Sequence, residues 1–173
     1  VRRFCEVPPE AAALLASPEA PVVILDVLPE AVRDGRLPLD LLTPDAPTLG
    51  VMLPTSPLHL LLLTPLADDP VPPFDLLVMT SGNRGGEPIC LTNEEARERL
   101  NGIADLFLCH DREINLRADD SVAVLQRGAP QLWRRARGYA PNALLLSHPL
   151  RRCVLAMGAE LKNAVAVGYA ERV

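Results

Sequence analysis

The stretch Phe74 to Pro88, FDLLVMTSGNRGGEP, constrains the fold more than any other part of the chain, because an apolar β-type run ends there on a glycine-rich polar loop. Leu76, Leu77, Val78 and Met79 predict a buried strand, and Thr80-Ser81-Gly82-Asn83-Arg84-Gly85-Gly86 predicts the loop at its end. Glycines let successive N–H groups turn toward one point, Ser81 and Asn83 add side-chain donors, and Arg84 adds a positive charge. That inventory suits phosphate or an acyl-adenylate. The same residues also make a tight surface turn in which Gly and Asn tolerate positive φ, and by itself the loop reads as that turn.

Other elements follow along the chain. Val7-Pro8-Pro9-Glu10, running into alanines and leucines, predicts a short helix that Ser17-Pro18 ends. Pro21 to Asp26, PVVILD, is a continuous apolar run and predicts a central strand. Leu28 to Pro47, with its repeated prolines, predicts an irregular surface connection. Thr48 to Leu53 predicts another strand, after which Ser56 as N-cap and Pro57 at the first helical position start a helix. His59 lies in that helix and reads as a structural residue ahead of a ligand-facing one.

Thr92-Asn93-Glu94-Glu95 is a capping box, with Ala96, Leu100 and Ile103 on one helical face and Glu95 and Arg99 one turn apart outside it. Asp105 to His110 and Ser121 to Gln126 predict strands. Arg127-Gly128-Ala129-Pro130 predicts a turn that pairs the second of these with Gln131 to Arg134. Asn142 to Leu150 reads as a linker with an apolar anchor. Cys153 to Met157 and Ala164 to Tyr169 then predict two strands around a Gly158–Asn163 turn. A lone hairpin is barely stable in water, so this one is expected to dock on the preceding domain or to open another.

The apolar fraction of 49% excludes a disordered chain, and no run is long enough to span a membrane as a helix. The start, Val1-Arg2-Arg3-Phe4-Cys5, has no secretory apolar core and no initiator methionine, which predicts a piece of something longer in preference to a processed chain. A net charge of -5 argues against a duplex-binding surface. Arg112, Arg117, Arg127, Arg134, Arg135 and Arg137 are nevertheless concentrated in one stretch, while Lys162 is the only lysine. They read either as phosphate or carboxylate ligands or as a solvated strand face. Asp119 and Asp120, beside Arg117, can hold magnesium through water or form a salt-bridged strand entrance. Cys5, Cys90, Cys109 and Cys153 stand far apart, so no structural metal is expected, and they read as reduced, mostly buried thiols of a cytoplasmic protein.

Leu49 to His59 (LGVMLPTSPLH), Val78 to Ile89 (VMTSGNRGGEPI), Arg117 to Val122 (RADDSV), Arg134 to Pro141 (RRARGYAP) and Val154 to Asn163 (VLAMGAELKN) together resemble the HypF family of hydrogenase maturation carbamoyltransferases. The blocks occur in the family's order and cover nearly the whole chain. The resemblance implies a mixed α/β (α+β) fold, a twisted mixed β-sheet flanked by helices. Residues 1–148 would form a YrdC-like domain without its N-terminal part, and 149–173 the first hairpin of an actin-like domain.

It also implies an enzyme that uses carbamoyl phosphate and ATP with magnesium to make carbamoyl-adenylate and carbamoylates the C-terminal cysteine of its partner HypE. Zinc is expected only in parts of the family protein absent here, and the 173 residues alone are expected to be inactive. By resemblance, Thr80, Ser81, Asn83, Arg84, Ser121 and Arg137 contact nucleotide or adenylate, Asp119 and Asp120 are candidates for magnesium, and Gly158 and Lys162 match an actin-like phosphate loop. No catalytic residue is assigned. Relatives often carry a second histidine after His59 where this chain has Leu60, which lowers the catalytic weight of the position. Two other readings stand beside this one: a YrdC-like threonylcarbamoyl-adenylate synthase for tRNA modification, and a non-catalytic RNA-binding module, disfavoured by the acidic charge. An exposed sheet edge would allow a homodimer.

Overall fold

The computed structural model describes residues 1–35, 37–65, 67, 69–158 and 163–173. They group into two units, one of Val1–Val78 with Asp120–Ala140 and one of Met79–Asp119 with Pro141–Val173.

The first unit is built on a four-stranded sheet in the order β2-β1-β3-β4. Its strands are β1 (Val22–Asp26), β2 (Thr48–Val51), β3 (Val122–Gln126) and β4 (Ala129–Arg134). β1 pairs antiparallel with β2 and parallel with β3, and β3 pairs antiparallel with β4, so the sheet is mixed. The expectation of PVVILD as a central strand holds: β1 has a neighbour on each side and buries Val23 and Leu25 on one face. Burial of such side chains is worth about 1.5–3 kcal/mol each. Helix α1 (Pro9–Leu15) covers that face with Ala11 and Leu15, one turn apart, and Phe4, Cys5, Ala31 and Leu37 complete the core.

The β3–β4 hairpin turns on Arg127 (φ 52°) and Gly128 (φ 76°). Two consecutive positive φ angles give the two-residue turn whose twist matches the flanking strands. β4 starts at Ala129, two residues before the expected Gln131, because Pro130 needs no ladder donor on an edge strand.

Between β1 and β2 the expected irregular connection is instead two short helices, α2 (Pro29–Arg33) and α3 (Leu39–Leu42), with Ala31 and Leu37 buried. Pro29 occupies the first turn and Pro38 the N-cap, positions where a missing N–H costs nothing. These prolines start helices rather than break them. Helix α4 (Pro57–Leu63) begins as expected, the Ser56 hydroxyl accepting from His59 N at 3.2 Å.

In the second unit, α5 (Asn93–Arg99) is capped by Thr92, whose hydroxyl accepts from Glu95 N at 3.0 Å. β5 (Val154–Met157) and β6 (Val165–Gly168) form a separate antiparallel hairpin. The stretch read as a linker is tied by its backbone to the chain's last residues, Leu144 N to Val173 O at 2.7 Å and Leu146 N to Glu171 O at 2.8 Å.

Two expected strands are corrected. Leu76–Met79 and Asp105–His110 are irregular, with Val78 75% and Leu106 90% exposed. Apolar, β-rich composition favours burial but supplies no partner backbone, and among the described residues no ladder includes either run.

Candidate functional site

The candidate residues form two constellations, one in each unit. In the first unit, Ser121 sits immediately before β3, fully buried, its carbonyl accepting from Val22 N at 2.8 Å. Its hydroxyl accepts from Ala136 N at 2.8 Å and donates to Arg137 O at 2.9 Å. Ser121 therefore ties the start of β3 to the RRARGYAP segment.

That segment closes against the turn before β1. Arg137 Nε donates to Asp120 Oδ1 at 2.9 Å, and its Nη2 donates to Ala20 O at 3.1 Å. Ala20 itself has φ 43°, a conformation L-residues rarely adopt. Gly138, with φ 87°, presses on the same turn; a Cβ there would lie 2.7 Å from Glu19 Cα, so the position requires glycine. Arg135 Nη2 donates to Tyr139 O at 2.7 Å. Burial, with the Glu19 carboxylate as a smaller cause, pushes the Tyr139 phenol above its ordinary range.

In the second unit the TSGNRGGEP loop is a folded bracket. Asn83 Nδ2 donates to both Arg84 O and Glu87 O at 2.9 Å, Asn83 N donates to Ser81 O, and Cys90 N to Gly82 O. Arg84 Nε donates to Arg99 O at 2.7 Å, at the C-terminal end of α5. The Asn83 amide and Arg84, both expected to face a ligand, therefore also hold the loop in shape. Thr80 and Ser81 are exposed. A Cβ added at Gly85 or Gly86 would meet nothing within 4 Å, so that side of the loop is open.

Behind the loop lies a group of charges. Arg99 donates from Nε and Nη2 to Glu87 Oε2 at 3.0 and 2.8 Å, from Nη2 to Pro88 O at 2.8 Å, and from Nη1 to Glu95. Arg117 donates to Ile89 O at 2.6 Å and to Glu95 Oε1 at 3.1 Å. Glu95 also accepts from Leu91 N at 2.7 Å, one residue short of the reciprocal bond to Thr92 that the capping box predicts. That backbone bond, followed by the Arg99 and Arg117 guanidinium groups, holds the Glu95 carboxyl below the usual carboxylate range. Bonding to Glu87, then to Glu95, raises Arg99 above its ordinary value.

This group of charges went beyond what the sequence offered. The Glu95–Arg99 spacing was visible, but nothing local signals that Arg117, 22 residues from Glu95, joins them. Glu19 and Ala20 were missed too; their one signal is the SPEAP turn directly before β1.

Asp120 is engaged by Arg137 through Oδ1, and Asp119 precedes it. Among the described residues no group of three or more His, Cys, Asp or Glu side chains is placed to hold a metal ion. Lys162 lies outside the described residues, and Gly158 N donates to Ala164 O at 2.8 Å at the mouth of the β5–β6 hairpin. The thiols, expected to be mostly buried, are evenly divided: Cys5 and Cys90 are buried, Cys109 and Cys153 exposed, because the run carrying Cys109 is not a packed strand and Cys153 lies just before a hairpin exposed along β5. A cavity of about 380 Å³ in the first unit is lined by Arg2, Arg3, Leu15 and Leu53 among others and by none of the candidate residues. No described helix is long and apolar enough to cross a membrane.

The Sua5/YciO/YrdC family, described as telomere recombination, matches residues 1–136. The chain is 43% identical over 154 residues to carbamoyltransferase HypF of Synechocystis sp., covering 89% of this chain and 18% of the relative. It is 44% identical over 155 residues to carbamoyltransferase HypF of Rhizobium leguminosarum bv. viciae, covering 90% and 20%. Two crystal structures superpose on 99% of it. One, of full-length HypF in the phosphate- and nucleotide-bound form, gives a TM-score of 0.79 at 40% identity and is covered over 25% of its length. The other, of T. kodakarensis HypF, gives 0.78 at 36% and is covered over 21%. The chain spans about a fifth of the length of the curated relatives it matches.

Proposed function

This chain belongs to the Sua5/YciO/YrdC family, in the form found within carbamoyltransferase HypF, and from that premise we propose that it is the adenylate-forming part of a carbamoyltransferase of [NiFe]-hydrogenase maturation. Carbamoyl phosphate is hydrolysed to carbamate and phosphate elsewhere in the whole protein. A carbamate oxygen then attacks the α-phosphorus of ATP, the bond to the bridging oxygen breaks, and pyrophosphate leaves. The carbamoyl group of the resulting adenylate passes to the C-terminal cysteine thiol of HypE, releasing AMP. The 173 residues alone do not complete this sequence, and 149–173 open an actin-like domain.

One observation carries the reading: 40% identity over 99% of the chain with a HypF crystallised with phosphate and nucleotide. The residues suit the chemistry. Charge that develops on phosphate oxygens is stabilised by donors already held in place. Thr80 and Ser81 are the exposed hydroxyls of the loop, Asn83 and Arg84 fix its shape, and Gly85 and Gly86 leave its open side clear. Ser121 and Arg137 order the second segment assigned to the adenylate. Magnesium, when bound, neutralises phosphate charge; Asp119 and Asp120 would hold it, and the Arg137 contact on Asp120 Oδ1 favours a water-mediated contact there.

The test is carbamate-dependent ATP–pyrophosphate exchange by the full-length protein. Ser81→Ala with Asn83→Ala is expected to lower the exchange by at least about tenfold, equivalent to 1.4 kcal/mol of transition-state stabilisation, with melting still cooperative. Exchange at the wild-type rate rejects the assignment.

A further inference from the structure

The loop from Ser81 to Ile89 carries Gly82, Gly85 and Gly86, and glycines make a loop entropically expensive to hold in one shape. Its inner bracket is the Asn83 amide on Arg84 O and Glu87 O. Its outer brace is one side chain on α5: the Arg99 guanidinium reaches Glu87 through two nitrogens, takes the Pro88 carbonyl as well, and is itself held by Glu95. Return contacts complete the brace, Arg84 Nε on the Arg99 carbonyl and Arg117 on Glu95 and Ile89 O. The planar fork matters here, because a lysine ammonium cannot serve Glu87, Pro88 O and Glu95 together in fixed directions.

We propose that Arg99 is a positioning residue for nucleotide binding: through Glu87 and Pro88 it fixes the bracket closed by Asn83, and so sets where Ser81 and the glycine backbone meet the phosphates. Arg99 touches no substrate in this assignment, which rests on the adenylate-forming reading given above. Arg84, expected at the nucleotide, joins the same brace through its Nε.

The experiment uses the full-length protein with Arg99→Ala, Arg99→Lys and, as a control on the same helix, Arg97→Ala, whose contacts are the exposed Glu94 at 4.0 Å and the exposed Cys109 Sγ at 3.5 Å, neither of them in the loop. In the exchange assay Arg99→Ala and Arg99→Lys are expected to raise KM for ATP about tenfold or more while kcat changes less than about threefold, the split expected when binding rather than the chemical step is disturbed. Backbone amides of 83–90 should exchange with deuterium about tenfold faster, with β1 and β3 unaffected. Arg97→Ala should match wild type in both. KM within about twofold of wild type for Arg99→Ala, or full rescue by Arg99→Lys, overturns the proposal. Should Arg99→Ala lose cooperative melting, Arg99→Lys decides on the same two readouts. Absence of exchange activity in the wild type would sink the adenylate reading instead, and deuterium uptake alone then decides whether Arg99 braces the loop.

Discussion

The hydroxyl of Ser121 donates to the main-chain carbonyl of Arg137 at 2.9 Å, while the Ala136 N–H donates back to the same hydroxyl at 2.8 Å. A buried side chain with its proton committed is first a structural clamp between the start of β3 and the segment that crosses it. Ser121→Ala leaves one N–H and one carbonyl without that partner in a dry environment, and the expected loss is about 1–3 kcal/mol. Ser81, exposed in its loop, should change stability by less than about 0.5 kcal/mol when made alanine. Urea unfolding of the two variants checks the contrast, and equal effects would show that the Ser121 clamp contributes nothing.

Gly138 and Gly128 both have positive φ, 87° and 76°, but in different surroundings. A methyl group at Gly128 meets nothing within 4 Å, whereas at Gly138 it runs into the Glu19 backbone. Gly128→Ala should cost only the left-handed strain, about 1–2 kcal/mol. Gly138→Ala should cost more than about 3 kcal/mol, since a backbone clash adds to a strained conformation. Urea midpoints that come out the same for both would refute the close approach of Gly138 to Glu19.

The brace around Glu95 gives a pH dependence whose sign is fixed. The Glu95 carboxyl is lowered from its ordinary 4.5, by Leu91 N first and then by Arg99 and Arg117. A lowered folded-state pKa means stabilisation that is complete above the unfolded value and is lost as pH falls below 4.5 through the folded value. Protection of amides 83–90 against hydrogen exchange should therefore decline in that acid window. Glu95→Gln should be poorly protected already at neutral pH and should lack the acid step. A step of wild-type size in Glu95→Gln would assign the titration to another group.

How much of this was legible in the sequence depended on how local the determining interaction is. β1, the β3–β4 turn and the caps at Ser56 and Thr92 are decided by residues within a few positions of one another, and were read correctly, save that the turn is Arg127-Gly128 alone and not the four residues to Pro130. Leu76–Met79 failed because a strand is a pair, and the run names no partner. In the candidate site, the loop from Thr80 to Gly86 was legible as a glycine-rich turn, but the internal use of Arg84 was not, since its acceptor Arg99 O depends on where α5 lies; the Asn83 contacts to Arg84 O and Glu87 O are local, but an asparagine amide serves a loop carbonyl and a ligand equally well. Arg137 was singled out beside Gly138, whereas its partner Ala20, 117 residues away, was marked only by the SPEAP turn before β1.

Ala20 supports the remaining prediction. Its φ of 43° is a left-handed conformation in a residue with a Cβ, and it lies between Glu19, pressed by Gly138, and Pro21 at the entrance to β1. That conformation costs an L-residue about 1–2 kcal/mol. The Arg137 bond to the Ala20 carbonyl at 3.1 Å and the Ala20 N–H bond to Ser17 O at 3.0 Å hold it there. Ala20→Gly removes the strain and leaves both backbone bonds available, while the greater freedom of glycine in the unfolded chain offsets part of the gain. A net stabilisation of about 0.5–1 kcal/mol is expected, the opposite sign from most substitutions. Arg137→Ala, which removes the donor that uses the carbonyl, should lower stability. A urea midpoint for Ala20→Gly below that of the wild type would show that the turn is not strained, and that Arg137 meets a carbonyl the chain presents at no cost.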